Sequence, residues 1–264
     1  MWKVRYATAV LAVWAALGFL GAGAAQAVEL TYGHTAGLVL GYELTLDDGI
    51  QVTTADLRRT VTAADADTVT VVTAMGNVRV DRGGIVTVVS SGLDDVARTV
   101  MDRHGTLTSV EALGNFAGTA SGLGVDLRRD VFASLGVSSF PAGDLAVGST
   151  WTKDAEKDGA TATFTYRITQ LNTTIGTYTT VAVIEMSSAF TMTPQVDIPS
   201  ARTHTLARLD VTVTGNIYFD VNTGRVVRVV ETVTQEGILF QVGYGGKVSI
   251  HPVARTVNAT LAIQ

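Results

Sequence analysis

Between Leu209 and Val233 the chain reads LDVTVTGNIYFDVNTGRVVRVVETV, and this stretch constrains the fold more than any other. Leu209, Val211, Val213, Gly215, Ile217, Phe219 and Val221 are apolar or Gly. The intervening Asp210, Thr212, Thr214, Asn216, Tyr218 and Asp220 are polar or amphipathic. A period of two puts one set on a buried face and the other on a wet face, which is the pattern of a strand and not of a helix. Asn222, Thr223 and Gly224 supply a short turn, and Val226–Thr234 returns through β-branched residues that suit a pleated surface. The hairpin is expected to form the centre of an antiparallel sheet.

The compartment is read from the other end of the chain. Lys3 and Arg5 precede an apolar run from Ala7 to Gly21, and Ala25-Gln26-Ala27 is a small-x-small site. This is the grammar of a secretory signal peptide, predicting cleavage after Ala27. The apolar run is short for a membrane span, so no integral span is expected in the mature chain. Formal net charge is −5, and losing Lys3 and Arg5 would make the chain more acidic still. That balance argues against nucleic acid and against an anionic membrane surface as partners. Cys is absent, which removes disulfides, thiolate catalysis and Cys-ligated metals together.

From Val28 onward, short alternating runs recur. Tyr42, Leu44 and Leu46 alternate with polar residues before the turn Asp47-Asp48-Gly49. Strands are expected over Ile50–Ala63 and Thr68–Met75, with a hairpin around Arg82-Gly83-Gly84. Asp94 and Asp95 could open a helical turn, but Leu93–His104 with Thr106–Val110 reads as strand, turn and strand. Met101-Asp102 before Gly105 repeats in miniature Phe219-Asp220 before Gly224, which suggests a duplicated β unit. Asp126–Leu135 is the best helix candidate, with Leu127, Val131 and Leu135 at four-residue spacing, Asp126 as cap and Gly136 as stop. After Phe140-Pro141 come strands near Ala160–Asn172 and Thr177–Ser188, an edge or loop carrying Pro194 and Pro199, the central hairpin, and further strands from Ile238 and Lys247. The expected architecture is all-β and mainly antiparallel: a curved sheet, half-barrel or sandwich with one short helix. Residues 1–27 are the signal segment, 28–139 an N-terminal β unit with a Gly-rich, helical cover, and 140–264 a C-terminal β unit.

Motifs with chemistry are scarce. No nucleophile elbow, zincin helix or Walker loop occurs. His34, His104, His204 and His251 lack metal-ligand spacing, and Gly122-Leu123-Gly124 lacks the third Gly and the βαβ context of a dinucleotide loop. Asp47-Asp48, Asp65/Asp67 and Asp94-Asp95 read as turns, because glycosidase carboxylates must face each other across a cleft. Asn172 and Asn258 begin glycosylation sequons, a short match frequent by chance. No catalytic residue, metal or cofactor is expected. A nonenzymatic reading fits better than an enzyme: an apolar ligand could be held against a curled sheet under a cover, with Val211, Val213, Ile217, Phe219, Val227, Val229, Leu239 and Phe240 as lining candidates, although apolar strand faces are filled core by default. A filled core would use the same residues.

Phe140-Pro141, Val147-Gly148-Ser149-Thr150-Trp151 and the strand ending in Phe219-Asp220 before Gly224 resemble an uncharacterised family of exported bacterial β proteins with a Val-Gly-x-x-Trp element. More distantly the plan is similar to the periplasmic half-barrel lipoprotein carriers of the LolA and LppX type. That resemblance implies a curved antiparallel sheet holding acyl chains under helices. The expected function is a noncatalytic exported envelope protein, periplasmic or at the cell surface, that binds an apolar small molecule or lipid, or an envelope protein. The alternatives are a structural or adhesive β-sandwich, and a hydrolase whose site assembles only in three dimensions. Sparse aromatics and an uneven face pattern disfavour a transmembrane β-barrel.

Overall fold

The alternation seen at Leu209–Val233 recurs through most of the described residues. The computed structural model describes residues 26–113, 139–157, 160–193, 195–198, 203–242 and 248–264, and every regular element in them is a strand. β1 (Val28–Glu29) is a two-residue bridge, followed by β2 (Val39–Asp47), β3 (Val52–Ala64) and β4 (Thr68–Arg82). Their turns are built by aspartates. Asp48 Oδ1 accepts hydrogen bonds from the Ile50 and Gln51 N–H groups, and Asp65 Oδ1 from those of Asp67 and Thr68. β5 (Ile85–Val88) folds back on the end of β4, and β6 (Leu93–Asp102) and β7 (Leu107–Ala112) complete the first half. Leu93–Asp102 is thus strand, not a helical turn. The helix expected at Asp126–Leu135 lies outside the described residues.

The second half begins with β8 (Asp144–Leu145), which pairs with β1. β9 (Thr150–Lys157), β10 (Ala160–Ile175), β11 (Tyr178–Met192), β12 (Gln195–Ile198), β13 (Thr203–Asp220), β14 (Arg225–Val242) and β15 (Val248–Ile263) follow. All but β1 and β8 join one antiparallel sheet of 13 strands, ordered β7-β6-β4-β3-β2-β15-β14-β13-β11-β10-β9, with β12 on β13 and β5 on β4. The two halves therefore occupy two contiguous sides of a single sheet, and the pairing of β15 with β2 is the seam. β7 and β9 form opposite ends of that order, so the sheet is curved and does not close into a barrel.

The curvature follows from what the edges touch. The Phe140 N–H bonds to the His104 carbonyl beyond β6, while the Trp151 indole of β9 donates to the Ser139 carbonyl, 3.0 Å away. Segment 139–147 thus draws the two edges towards each other. The stretch Leu30–His34 crosses the same end: the Tyr32 N–H donates to the Arg103 carbonyl and the Gly33 N–H to that of Gly224. The two turns with matching sequence grammar, after Asp102 and after Asp220, are therefore pinned by adjacent residues of one segment. This end of the curl is sealed by Leu30, Tyr32 and Phe140, all buried on its concave side.

The concave face carries the core. The register sets Ile184, Ile217, Val229 and Leu261 side by side across β11, β13, β14 and β15, and Leu44 and Ala55 continue the row across the seam. All six are buried. Beyond Asn258 the free side of β15 has no partner among the described strands, because β2 ends at Asp47. The β14–β15 ribbon runs on past this point and its polarity inverts. Its convex face changes from Arg228, Thr232 and Glu236 to Ile238, Phe240 and Val242, paired with Pro252, Ile250 and Val248.

Candidate functional site

An aromatic file leads from the sealed end along the concave wall. Tyr32 stacks on Phe140 at 5.6 Å between ring centroids, and Phe219 meets both edge-on at 5.4 and 4.8 Å. Edge-to-face contacts of this kind favour the ring quadrupoles as well as area burial. Phe140 then touches Trp151, Trp151 stacks on Tyr166 at 5.5 Å, and Tyr166 continues to Phe164. Residue parity explains the file. Phe164, Tyr166 and Ile168 are alternate residues of β10, and Tyr166 lies opposite both Trp151 and Met186.

Away from the sealed end this face is less covered, and apolar residues alternate there with the Gln235–Arg255 pair. Trp151, Phe164, Phe190, Val233, Val253 and Val257 are half-buried against the core. Charged groups lie among them: Lys153 pairs with Phe164, Arg255 sits between Val253 and Val257 and ion-pairs with Asp48 at 3.0 Å, and Glu231 is the most buried. Glu231 is only 5% exposed, opposite Gly215 on one side and Ala259 on the other. Gly215 is required by crowding there, since a Cβ would meet the Val230 carbonyl and the Met186 methyl. Burial, with the Glu231 charge added, raises the Tyr166 phenol to a pKa of about 12. Desolvation also lowers the Lys153 ammonium on β9 below its usual value.

The predicted lining residues divide by position. Val211, Val213, Ile217, Phe219 and Val229 share the concave face and are buried. Val227 is buried at the bulge where Tyr218 pairs with Arg228 and Phe219 with Val226. Leu239 lies on the concave face further out. Phe240 does not accompany it: consecutive strand residues face opposite ways, and Phe240 pairs with Ile250 on the convex side. Sequence reading missed Trp151, Phe164, Tyr166 and Phe190. The alternation in β10 marked Phe164 and Tyr166 as inward, but no sequence signal placed that face beside β13.

Other polar groups serve structure. Asp220 accepts from the Thr180 and Thr223 hydroxyls at 2.7 and 2.6 Å and from the Thr223 N–H. Burial works to raise its pKa, but these bonds and the Arg225 charge hold it below the ordinary value. Asp102 makes the matching turn through the His104 and Thr106 N–H groups. His251 Nε2 lies 3.1 Å from Ser249 Oγ, but both are on the exposed ribbon and not in a cleft. Among the described residues no group of three or more His, Cys, Asp or Glu could hold a metal, and no helix is long and apolar enough to cross a membrane. Compared with known proteins, the chain matches no family model and no curated sequence.

Proposed function

We propose that this chain is an exported, noncatalytic binding protein that holds an apolar molecule with a long hydrocarbon portion against the concave face of its sheet. The observation that carries this reading is the contrast between the two ends of that face. At the sealed end, apolar side chains are fully packed by Tyr32, Phe140 and Phe219. Further out, Trp151, Phe164, Phe190, Val233, Val253 and Val257 keep the same orientation with only part of their surface covered. A half-covered apolar concavity is favourable to fill with hydrocarbon, at about 25 cal/mol per Å² removed from water. The aromatic wall of β9 and β10 would give a chain flat, rigid contacts.

A fluorescent polyene fatty acid titrated into the delipidated protein tests the idea. Saturable enhancement that is competed by unlabelled fatty acid is expected. Val213→Asp is buried too deeply to be informative, so Val257→Asp and Phe190→Asp are the variants of choice. Each should weaken probe binding by about tenfold or more, as charge enters the apolar surface. Absence of saturable binding, or equal binding by these variants, would refute it. The second reading, docking of an envelope protein, is favoured by the convex apolar surface of the β14–β15 ribbon around Phe240 and Ile250. It predicts that Ile250→Asp abolishes capture of that partner while leaving probe binding intact.

A further inference from the structure

The sealed end holds a second polar cluster that the apolar reading does not use. His34 is 2% exposed, and its Nδ1 makes no hydrogen bond. The buried Nε of Arg225 is likewise without an acceptor. Both belong to one place, because Gly33 and Gly224, their chain neighbours, are joined by a backbone hydrogen bond of 3.1 Å. That approach needs Gly at 224, which has φ +61° and where a Cβ would collide with the Gly33 nitrogen. Arg103 reaches in from beyond β6, donating to the His34 carbonyl at 2.7 Å and to the Tyr32 and Asp65 carbonyls. Arg59, from β3, hydrogen-bonds the buried Tyr42 phenol, which donates to the Val226 carbonyl at 3.1 Å.

Three guanidiniums thus lie near enough to one imidazole for their charges to act on it. Among the described residues none of the three is within ion-pair distance of a carboxylate, although the Arg225 charge acts on Asp220 and that of Arg103 on Asp65. The nearest acids are already engaged, Asp220 by Thr180 and Thr223 and Asp65 by Thr68. Burial and the charges of Arg59, Arg225 and Arg103 push the His34 pKa down to about 3, which is what desolvation and nearby positive charge do to a base. Buried donors that lack acceptors carry a free-energy cost that an anion with several oxygens removes. A planar guanidinium matches such an oxyanion better than an ammonium does.

We infer that His34, Arg59, Arg103 and Arg225 form a binding site for a phosphate-type oxyanion at the sealed end of the sheet. The inference does not depend on the apolar-ligand reading. Isothermal titration with inorganic phosphate should show saturable binding that chloride at matched ionic strength does not reproduce. Arg225→Gln should weaken it by about tenfold or more. Arg228→Gln, exposed on the convex face of the same strand, should leave it unchanged. In case Arg225→Gln fails to fold, histidine NMR on the unaltered protein gives an independent answer: phosphate should shift the His34 imidazole signals and leave those of His251 in place. Dihexanoyl phosphatidic acid separates the sources. Tighter binding than inorganic phosphate, with displacement of the fluorescent fatty acid, assigns the site to a lipid headgroup; equal affinity assigns it to free phosphate. No difference between phosphate and chloride, or an unmoved His34 signal, overturns the inference.

Discussion

At the scale of single residues, Phe219 and Tyr218 show how parity decides energy. Phe219 is fully buried between Tyr32 and Phe140, whereas Tyr218 projects from the other face of the same strand. Phe219→Ala should cost about 3–5 kcal/mol through lost transfer energy and the cavity left behind. Tyr218→Ala should cost under about 1.5 kcal/mol, and chemical denaturation of both variants measures the difference. His34 gives a pH dependence. Its folded pKa of about 3 lies below the ordinary 6.5, so below pH 6.5 the unfolded chain binds a proton that the folded chain refuses. Its contribution is complete above pH 6.5 and is lost as pH falls towards 3. Stability should drop by on the order of 3 kcal/mol between pH 7 and 4.5, before most carboxylates titrate. His34→Gln should flatten that limb of the stability–pH curve.

At the scale of elements, the turns at the sealed end are more constrained than those elsewhere. Gly49 and Gly224 both have positive φ, but a Cβ at Gly49 would meet nothing within 4 Å, whereas one at Gly224 would strike the Gly33 backbone. Gly49→Ala should therefore cost about 1 kcal/mol, the strain of the left-handed conformation alone. Gly224→Ala must also push Leu30–His34 off the β13–β14 turn. It should cost at least about 3 kcal/mol and expose that segment to proteolysis. The β14–β15 ribbon is the opposite case. Its outer part lacks a neighbour on the β15 side, and Pro252 offers no N–H to that edge, which discourages pairing with another strand.

At the scale of the whole molecule, one strand pairing carries the unity of the fold. β2 and β15 are far apart in sequence, yet among the described residues their six-residue pairing, from Tyr42–Ile263 to Asp47–Asn258, is the only ladder joining the two sides of the sheet. Leu44→Asp would set a charge opposite Leu261 in the buried row of that seam. A single unfolding transition in denaturant is expected to split into two, because each half retains its own hairpins. One unbroken transition with unchanged m-value would mean that the concave core couples the halves without the seam.

Strand type, most turns and the inward parity of β13 were legible in the sequence because they depend on neighbours one to four residues away. Leu209–Val221 shows its buried face by alternation alone, and Asp47-Asp48-Gly49 builds the turn its side chains dictate. Phe240 was misplaced because a continuous apolar run, Ile238-Leu239-Phe240, contains no parity to read. What only the tertiary structure decided is which distant groups meet. The pairing of β2 with β15, the file from Tyr32 to Phe164 and the nearness of Arg59, Arg103 and Arg225 to His34 all depend on the curl of the sheet. That curl is fixed by contacts between segments more than a hundred residues apart in the case of Gly33 and Gly224, and no local pattern encodes such a distance.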